Sequence, residues 1–127
     1  MFIDSAGPIE RFEWGKFQID GRVHSMDGVG VGKDIFMLGR DVQPWRARKG
    51  HRLEPKMVPS VLASEIEVLV IGNGVNGALK VPKKTRNAIL AAGVGELIIE
   101  PTPKACAIYN ELVRQGKKAA LLAHGTC

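Results

Sequence analysis

Residues 66–77, IEVLVIGNGVNG, combine an apolar run with three glycines and could form a phosphate-binding loop. Val68–Ile71 predicts a buried strand, and Gly72, Gly74 and Gly77 follow it with the spacing of dinucleotide-binding domains. In those domains the third glycine opens a helix whose N-terminus meets the pyrophosphate. Here a helix cannot comfortably begin before Pro82, and the chain has room for a single βαβαβ half. We therefore interpret the run as a structural glycine loop and expect no cofactor.

Polar residues follow the apolar runs of the C-terminal half, where strands would end. Ligands of open α/β sheets bind beyond the carboxyl ends of parallel strands, and helix N-termini at that edge favour an anion. The sequence thus predicts a ligand-binding crevice, with two residues from an upstream segment reaching over it. Its candidate residues are Asn73, Glu100, Thr102, His124, Arg46 and His51. The alternative is that Thr102 only caps a helix, Glu100 only ends a strand and the glycines only form turns.

Other reactive groups give weaker patterns. His124 with Cys127 could form a thiolate–imidazole pair, although Cys127 could equally be frayed. Cys106 falls on an apolar helical stripe, where we expect a buried, inert thiol. The three histidines are scattered without the paired spacing of zinc sites, so we expect no metal and assign no catalytic residue.

The elements that would position these residues change character along the chain. The N-terminal half predicts antiparallel strands: a hairpin over Lys16–Met26 turning at Asp20-Gly21, and strands at Ile35–Leu38 and Val42–Trp45. The glycines at 28, 30 and 32 indicate a bend. Phe2, Phe12, Trp14 and Phe36 could leave apolar surface for self-association, so a homo-oligomer stays open.

The C-terminal half predicts strands that alternate with helices. The strands are Val68–Ile71, Leu97–Ile99 and Ala119–Ala123, and a short helix lies within Pro55–Ser64. A second helix runs from Pro82 to Gly93, with an inner face formed by Thr85, Ala88, Ile89 and Ala92. A third helix is capped by Thr102, has Pro103 at its first position and ends at Gly116; it buries Cys106, Tyr109, Leu112 and Val113. Continuous apolar strands indicate parallel pairing with both faces of the sheet covered. The predicted fold class is α/β: a single three-layer domain over residues 1–127, with a mixed sheet, a C-terminal βαβαβ parallel unit and an N-terminal antiparallel β part. We expect the helices on one sheet face and the antiparallel half on the other.

Charge and composition narrow the class of protein. The net charge is +5, and residues 33–56 hold seven basic and three acidic side chains, which could attract an acidic partner. No nucleic-acid-binding motif accompanies them, so we do not expect nucleic acid as a partner. No apolar run reaches the ~20 residues of a membrane helix, and no signal peptide is evident. We expect a cytoplasmic protein without disulfides or membrane insertion.

Four segments together carry a family resemblance. VLVIGNGVNGALKVP, EPTPKACAIYNEL, the terminal AHGTC and the W-R-x-R-x-G-H pattern of Trp45–His51 resemble the Mth-938 domain family, also called domain of unknown function 498. The resemblance covers essentially the whole chain and implies a compact three-layer α/β fold. Its bacterial and archaeal members are largely uncharacterised, one eukaryotic branch is implicated in adipogenesis, and another assembles mitochondrial respiratory complex I. No catalytic residues are established for the family. This chain departs from the usual pattern in its glycine-rich 28–32 loop and in having one Trp at position 45 where relatives often show two, so contacts from the N-terminal half are not carried over.

Two classes of function follow. The first is a non-enzymatic binding or assembly-factor-like protein that acts through a protein partner, which fits the missing catalytic constellation and the basic 33–56 segment. The second is a binder of a small anionic molecule, or an enzyme, that uses the strand-end crevice. The sequence names neither the partner nor a reaction.

Overall fold

The first four strands of the chain form an antiparallel sheet. The structure is a computed structural model that describes residues 1–59 and 66–127. These strands are β1 (Phe2–Ile3), β2 (Ile9–Glu13), β3 (Lys16–Ile19) and β4 (Arg22–Ser25), paired in that order. Asp20 and Gly21 join β3 to β4 with φ of 47° and 81°, as a two-residue hairpin turn with two left-handed positions requires. The predicted hairpin is therefore confirmed.

A five-stranded mixed sheet holds the rest of the strands, in the order β6-β5-β9-β7-β8. Its elements are β5 (Asp34–Leu38), β6 (Asp41–Pro44), β7 (Val68–Gly72), β8 (Glu96–Glu100) and β9 (Ala119–His124), joined by a short 3-10 helix (Pro55–Met57), helix α1 (Lys83–Ala91) and helix α2 (Thr102–Arg114). Strand β7 pairs parallel with both β8 and β9, and β5 pairs antiparallel with β9. The predicted mixed α/β fold with a parallel βαβαβ unit is confirmed.

The two helices lie on opposite faces of the mixed sheet, so the expectation that both share one face is wrong. The chain moves outward from β7 to β8 and then back across β7 to β9. Right-handed crossovers in opposite directions must place their helices on opposite faces. Helix α2 contacts β1 and β2 as well as β7 and β9, so it shares its face with the antiparallel sheet, and α1 contacts β8 and the 3-10 helix.

Each face of the mixed sheet has its own apolar core. Val68, Val70 and Leu121 point toward α2 and the antiparallel sheet, where Phe12 and Phe17 lie with their ring centroids 4.7 Å apart. The alternate residues of the same strands point toward α1. That second core contains Leu69, Ile71, Leu122, Trp45, Leu53, Leu79 and Ile89. The period of two along each strand thus divides its side chains between two hydrophobic layers.

Several local predictions are corrected. Thr102 is the first residue of α2 and Pro101 is its N-cap, without a side-chain capping bond, so Thr102 is not the cap. Strand β8 lies at the sheet edge and is only half-buried. On the helices, Ala88 and Ala92 are exposed and Leu112 and Val113 half-buried, whereas Thr85, Ile89, Cys106 and Tyr109 are buried as expected. Of the helix predicted within Pro55–Ser64, residues 55–57 form the 3-10 turn and residues 60–64 lie outside the described residues.

Across the two described stretches of chain, no helix has the length and apolar character needed to cross a membrane.

Candidate functional site

The glycine loop after β7 encloses the residues that follow β9. The amide of Val75 donates to the carbonyl of Thr126 at 2.7 Å, and the amides of Asn76 and Ala78 donate to the carbonyl of Cys127 at 3.3 and 3.0 Å. These amides are the groups that a bound phosphate would need, and the chain itself already uses them. Gly74 has φ +102°, and a Cβ on it would run into the backbone of Cys127. The loop therefore fixes Cys127 in place instead of leaving it frayed.

His124 ends β9 and is held by a carboxylate from the neighbouring strand. Its Nδ1 lies 2.8 Å from Oδ1 of Asp34, the residue that faces it across the β5–β9 pair. An ionised carboxylate only accepts hydrogen bonds, so Nδ1 carries the proton and donates to it. The Nε2 lone pair then points the other way, where the Thr126 hydroxyl lies at 3.4 Å. His124 itself is buried, so this orientation is fixed by packing as well.

Asp34 is a nearly buried carboxylate that accepts hydrogen bonds from several neighbouring groups. Its Oδ2 accepts from Nε of Arg48 at 2.8 Å and from Nζ of Lys33 at 3.3 Å, and its Oδ1 accepts from the Gly125 amide at 3.2 Å. Burial raises the pKa of Asp34, but hydrogen bonds from His124, Arg48 and Gly125 and the charge of Arg48 outweigh it and hold that pKa far below its usual range. Asp34 therefore stays ionised at neutral pH.

His51 approaches the same point from an exposed loop. Its Nε2 lies 3.1 Å from Sγ of Cys127, and His124 Nε2 lies 3.9 Å from that sulfur. The loop is anchored beyond His51, where the Lys80 amide donates to the His51 carbonyl and the amide of Leu53 donates to the Lys80 carbonyl, both at 2.8 Å. The ligand atoms of His51, His124 and Cys127 all lie within 4.8 Å of one another. We call these three residues the strand-end cluster.

The structure does not bring all six predicted residues together. In the strand register, Gly72 lies beside both Glu100 and Ala123, so the three residues point to the same face of the sheet. Ala123 belongs to the core on the α2 side. Glu100 therefore points to that side, where it pairs with Lys104 of α2 at 3.5 Å. His124 is the next residue after Ala123 and points to the α1 side. Glu100 and His124 therefore lie on opposite faces of the sheet, separated by β7.

Thr102 is completely buried and works as a structural bridge. Its hydroxyl accepts from the Gly74 amide at 2.9 Å and donates to the His124 carbonyl at 2.7 Å. Both hydrogen-bonding roles are filled within the protein, so no ligand reaches this hydroxyl. Thr102 instead joins the carboxyl ends of β7 and β9 to the start of α2.

Asn73 and Arg46 have different surroundings. The side chain of Asn73 lies under its own loop near Gly77, and its buried Oδ1 has no partner among the described residues. Arg46 is exposed on the loop that carries His51 and forms no ion pair with any described carboxylate. Of the six predicted residues, His51 and His124 are the two that share one cluster.

Two members of the site were missed or discounted from the sequence. Asp34 lies 90 positions from His124, and only the antiparallel β5–β9 register brings the two together. Cys127 was discounted as frayed because no sequence signal shows that the glycine loop binds its carbonyl. The sequence signal for Asp34 is its position as a polar residue directly before a predicted strand. That strand is predicted to start at Ile35, one residue after the observed start of β5.

Comparisons with known proteins agree with this architecture. The chain is similar to PH1505 from Pyrococcus horikoshii OT3, a conserved hypothetical protein, at 23% identity and a TM-score of 0.77, covering 94% of this chain and 98% of that one. It is similar to a protein of Bartonella henselae described as an outer membrane protein, at 21% identity and a TM-score of 0.75, covering 94% and 95%. It is also similar to the structure named MT938, at 23% identity and a TM-score of 0.71, covering 94% and 97%.

At these identities the three structures show the fold alone. The family itself is shown by a sequence match over residues 9–124 to the proteins of unknown function DUF498/DUF598. The predicted resemblance to the Mth-938 family is thereby confirmed, whereas the adipogenesis and complex I roles stay expectations. With its two sheets, its parallel βαβαβ unit and this match, the chain belongs to the DUF498/DUF598 family of proteins of unknown function.

Proposed function

We propose that the protein is a non-enzymatic binding module that acts through a protein partner, and that the partner contacts an exposed apolar patch at one end of the antiparallel sheet, formed by the β2–β3 turn and the loop after β4. The patch consists of Trp14, Met26 and Val29, whose exposed fractions are 52%, 57% and 47%. The three residues line one shallow groove of about 320 Å³. This exposed indole, grouped with two further apolar side chains, is the observation that carries the proposal.

Exposed apolar groups of this kind favour a protein as the occupant. Leaving apolar area in water costs free energy, about 25 cal/mol per Å², and a partner recovers it on binding. Tryptophan and methionine are enriched at protein interfaces, and tryptophan is among the commonest binding hot spots. Of the four aromatic residues expected to leave apolar surface, Phe12 and Phe36 are buried in the cores and Phe2 is half-buried, so Trp14 is the one available for contact.

Affinity purification with matched variants tests the proposal. Trp14→Ser removes the indole, and Leu90→Ser removes an apolar side chain of similar exposure (46%) on α1, on the other side of the mixed sheet. We expect the wild type and Leu90→Ser to recover the same partner, and Trp14→Ser to recover at least tenfold less. A photo-cross-linking residue at position 29, with Trp14 intact, should form a covalent adduct with that partner. Equal recovery by both variants, or no adduct at position 29, would contradict the proposal.

Self-association is a distinguishable outcome. If the patch instead binds a second copy of the chain, sedimentation velocity will show a concentration-dependent dimer that Trp14→Ser abolishes and Leu90→Ser preserves. That result would replace the separate partner by a homo-oligomer.

A second candidate function, binding of a small anion, has its own support at the strand ends. Arg46 and Lys49 are exposed on the His51 loop, and neither forms an ion pair with a described carboxylate. A thermal-shift panel of nucleotides and phosphorylated metabolites tests it, since a ligand at one hundred times its Kd adds about 2.7 kcal/mol of stability. The stabilisation should be lost in the Arg46→Gln/Lys49→Gln double variant and retained in Lys117→Gln, whose exposed side chain lies near the opposite end of β7.

A further inference from the structure

We propose that His51, His124 and Cys127 bind a divalent transition-metal ion of the zinc class. The strand-end cluster combines two imidazole nitrogens and one thiol sulfur. This donor set suits zinc and the neighbouring transition metals better than it suits calcium or magnesium. The scattered positions of these residues hid the site from sequence patterns, because the 46–52 loop and the residues after β9 meet only in the folded protein. The inference is independent of the Trp14 patch.

The distances within the cluster suit a tetrahedral ion. Zinc bonds of about 2.3 Å to sulfur and about 2.0 Å to nitrogen place a sulfur and a nitrogen roughly 3.5 Å apart around one ion. The sulfur of Cys127 lies 3.1 Å from Nε2 of His51 and 3.9 Å from Nε2 of His124, so the two observed separations bracket the required one. The third separation, between the ring nitrogens of His51 and His124, is at most 4.8 Å, against roughly 3.3 Å around such an ion. The exposed His51 side chain can close this gap by moving roughly 1 Å toward His124.

The groups behind His124 have the arrangement that metal-binding histidines use. Such a histidine commonly donates its second ring N–H to a carboxylate, which fixes the tautomer and increases the basicity of the metal-binding nitrogen. Asp34 performs this role for His124, and Arg48 and the Gly125 amide in turn fix Asp34. Nε2 of His124 is therefore oriented toward the sulfur before any ion arrives.

A metal site explains the cluster better than a nucleophilic thiol does. A thiolate nucleophile needs one imidazole, whereas here a second imidazole lies even closer to the sulfur. Acyl transfer also needs amides that are free to bind an oxyanion. The amides of Asn76 and Ala78, which the glycine loop brings to Cys127, are already bonded to its carbonyl.

The predicted site has three protein ligands and an open fourth position. This is the pattern of zinc sites that hold water or an exchangeable ligand, in contrast to closed structural sites with four protein ligands. His51 is exposed, so an ion at the cluster and an exchangeable ligand on it would be accessible from solvent.

Metal titration of the reduced, chelator-treated full chain tests the inference. We expect one equivalent of Zn²⁺ to bind by calorimetry, and Co²⁺ to give tetrahedral visible bands together with a thiolate-to-cobalt charge-transfer band. His51→Ala and Cys127→Ser should each weaken Zn²⁺ binding at least tenfold, and Cys127→Ser should remove the charge-transfer band. Asp34→Asn, which replaces the carboxylate behind His124, should weaken binding about 10- to 100-fold.

Matched controls keep the test decisive. Cys106→Ala replaces the other thiol, which is fully buried, and Arg52→Ala replaces the exposed neighbour of His51, whose side chain pairs with Glu54; both should bind zinc like the wild type. His51 is exposed, so His51→Ala gives a folded variant even if Cys127→Ser does not. Absence of a one-to-one complex, a cobalt spectrum without thiolate, or wild-type affinity in His51→Ala would overturn the proposal.

Discussion

At the scale of single residues, Asp34 holds the strand ends together. It accepts hydrogen bonds from His124, Arg48 and the Gly125 amide, while its side chain is only 12% exposed and that of Arg48 11%. An ionised group in such a place is stable only because its partners compensate for lost hydration. Removing its charge should therefore cost more than removing a surface carboxylate.

The first prediction concerns acid stability. The folded pKa of Asp34 is depressed, so its contribution is fully present above the unfolded value near 3.9 and is lost as the pH falls through the folded value. We expect Asp34→Asn to lose about 3 kcal/mol of unfolding free energy at pH 7, with the difference from wild type shrinking below about pH 4. Urea denaturation at a series of pH values measures this.

The matched control is Asp41→Asn on the adjacent strand β6, whose carboxylate is exposed. It should change the unfolding free energy by less than about 0.5 kcal/mol. A loss in Asp34→Asn that stayed constant from pH 7 to pH 3 would show that charge compensation is not the cause.

The second prediction concerns Thr102. Its buried hydroxyl is the partner of both the Gly74 amide and the His124 carbonyl. Thr102→Val keeps the shape but leaves two buried polar groups unpaired, which should cost about 2–4 kcal/mol in urea denaturation. Thr102→Ser retains the hydroxyl and should lose less than half as much; equal losses would mean that packing, not hydrogen bonding, dominates at this position.

Part of the candidate site is predictable from the sequence at this scale. His124 directly follows the predicted strand Ala119–Ala123, and His51 ends the W-R-x-R-x-G-H pattern, so the sequence points to both. Asp34 was missed because its pairing with His124 depends on strand register across 90 positions. Thr102 is predicted as a helix cap because a Thr-Pro pair is typical of one. In the structure its hydroxyl instead bonds to the Gly74 amide and the His124 carbonyl.

At the scale of elements, the glycine loop determines where Cys127 lies. Residues 75–78 supply amides to the two carbonyls that follow Gly125, and Gly74 allows the close approach through its left-handed backbone. This is a structural use of a pattern that resembles a nucleotide loop.

The third prediction compares two left-handed glycines. Gly74→Ala adds both backbone strain and a collision with Cys127, so it should cost about 3 kcal/mol or more. Gly116→Ala has φ +77° with open space around its Cβ, so it should cost only the strain, about 1 kcal/mol. Thermal and urea denaturation measure both; equal costs would mean that the contact with Cys127 is unimportant.

The elements of the C-terminal half are largely predictable from the sequence, whereas β1 and β2 are not predicted and the arrangement of the strands has to be seen in the structure. Three apolar runs with glycine or proline close by are predictable as strands, although β8 at the sheet edge is only half-buried. The strand order β8-β7-β9, which sends α1 and α2 to opposite faces, has no local signal. The sequence therefore predicts Glu100 beside His124, since both residues end strands at the same edge of the sheet. Strand ends at one edge can still carry side chains that point to opposite faces, as these two do.

At the scale of the whole molecule, one core joins the two sheets. Ile9 and Phe17 of the antiparallel sheet, Tyr109 of α2 and Leu121 of the mixed sheet belong to a single buried cluster. Asn110 of α2 adds a pair of hydrogen bonds to Ile9, at 2.9 Å to its amide and 2.8 Å to its carbonyl. Neither sheet keeps its apolar face covered without the other.

The fourth prediction is that both sheets unfold together. Trp14 lies in the antiparallel sheet's β2–β3 turn and Trp45 in the core facing α1, so Trp45→Phe and Trp14→Phe each leave one local fluorescence probe. In each variant, the urea midpoints from fluorescence and from far-UV circular dichroism should coincide. An earlier midpoint for Trp14 alone would indicate that the antiparallel sheet opens independently.

Anomalous diffraction at the zinc edge, from crystals grown with zinc, shows whether His51, His124 and Cys127 converge on one metal ion. We expect one strong anomalous peak about 2.3 Å from the Cys127 sulfur and about 2.0 Å from Nε2 of both histidines. A crystal in which the three side chains point apart, or in which zinc is absent from their midst, would contradict this expectation.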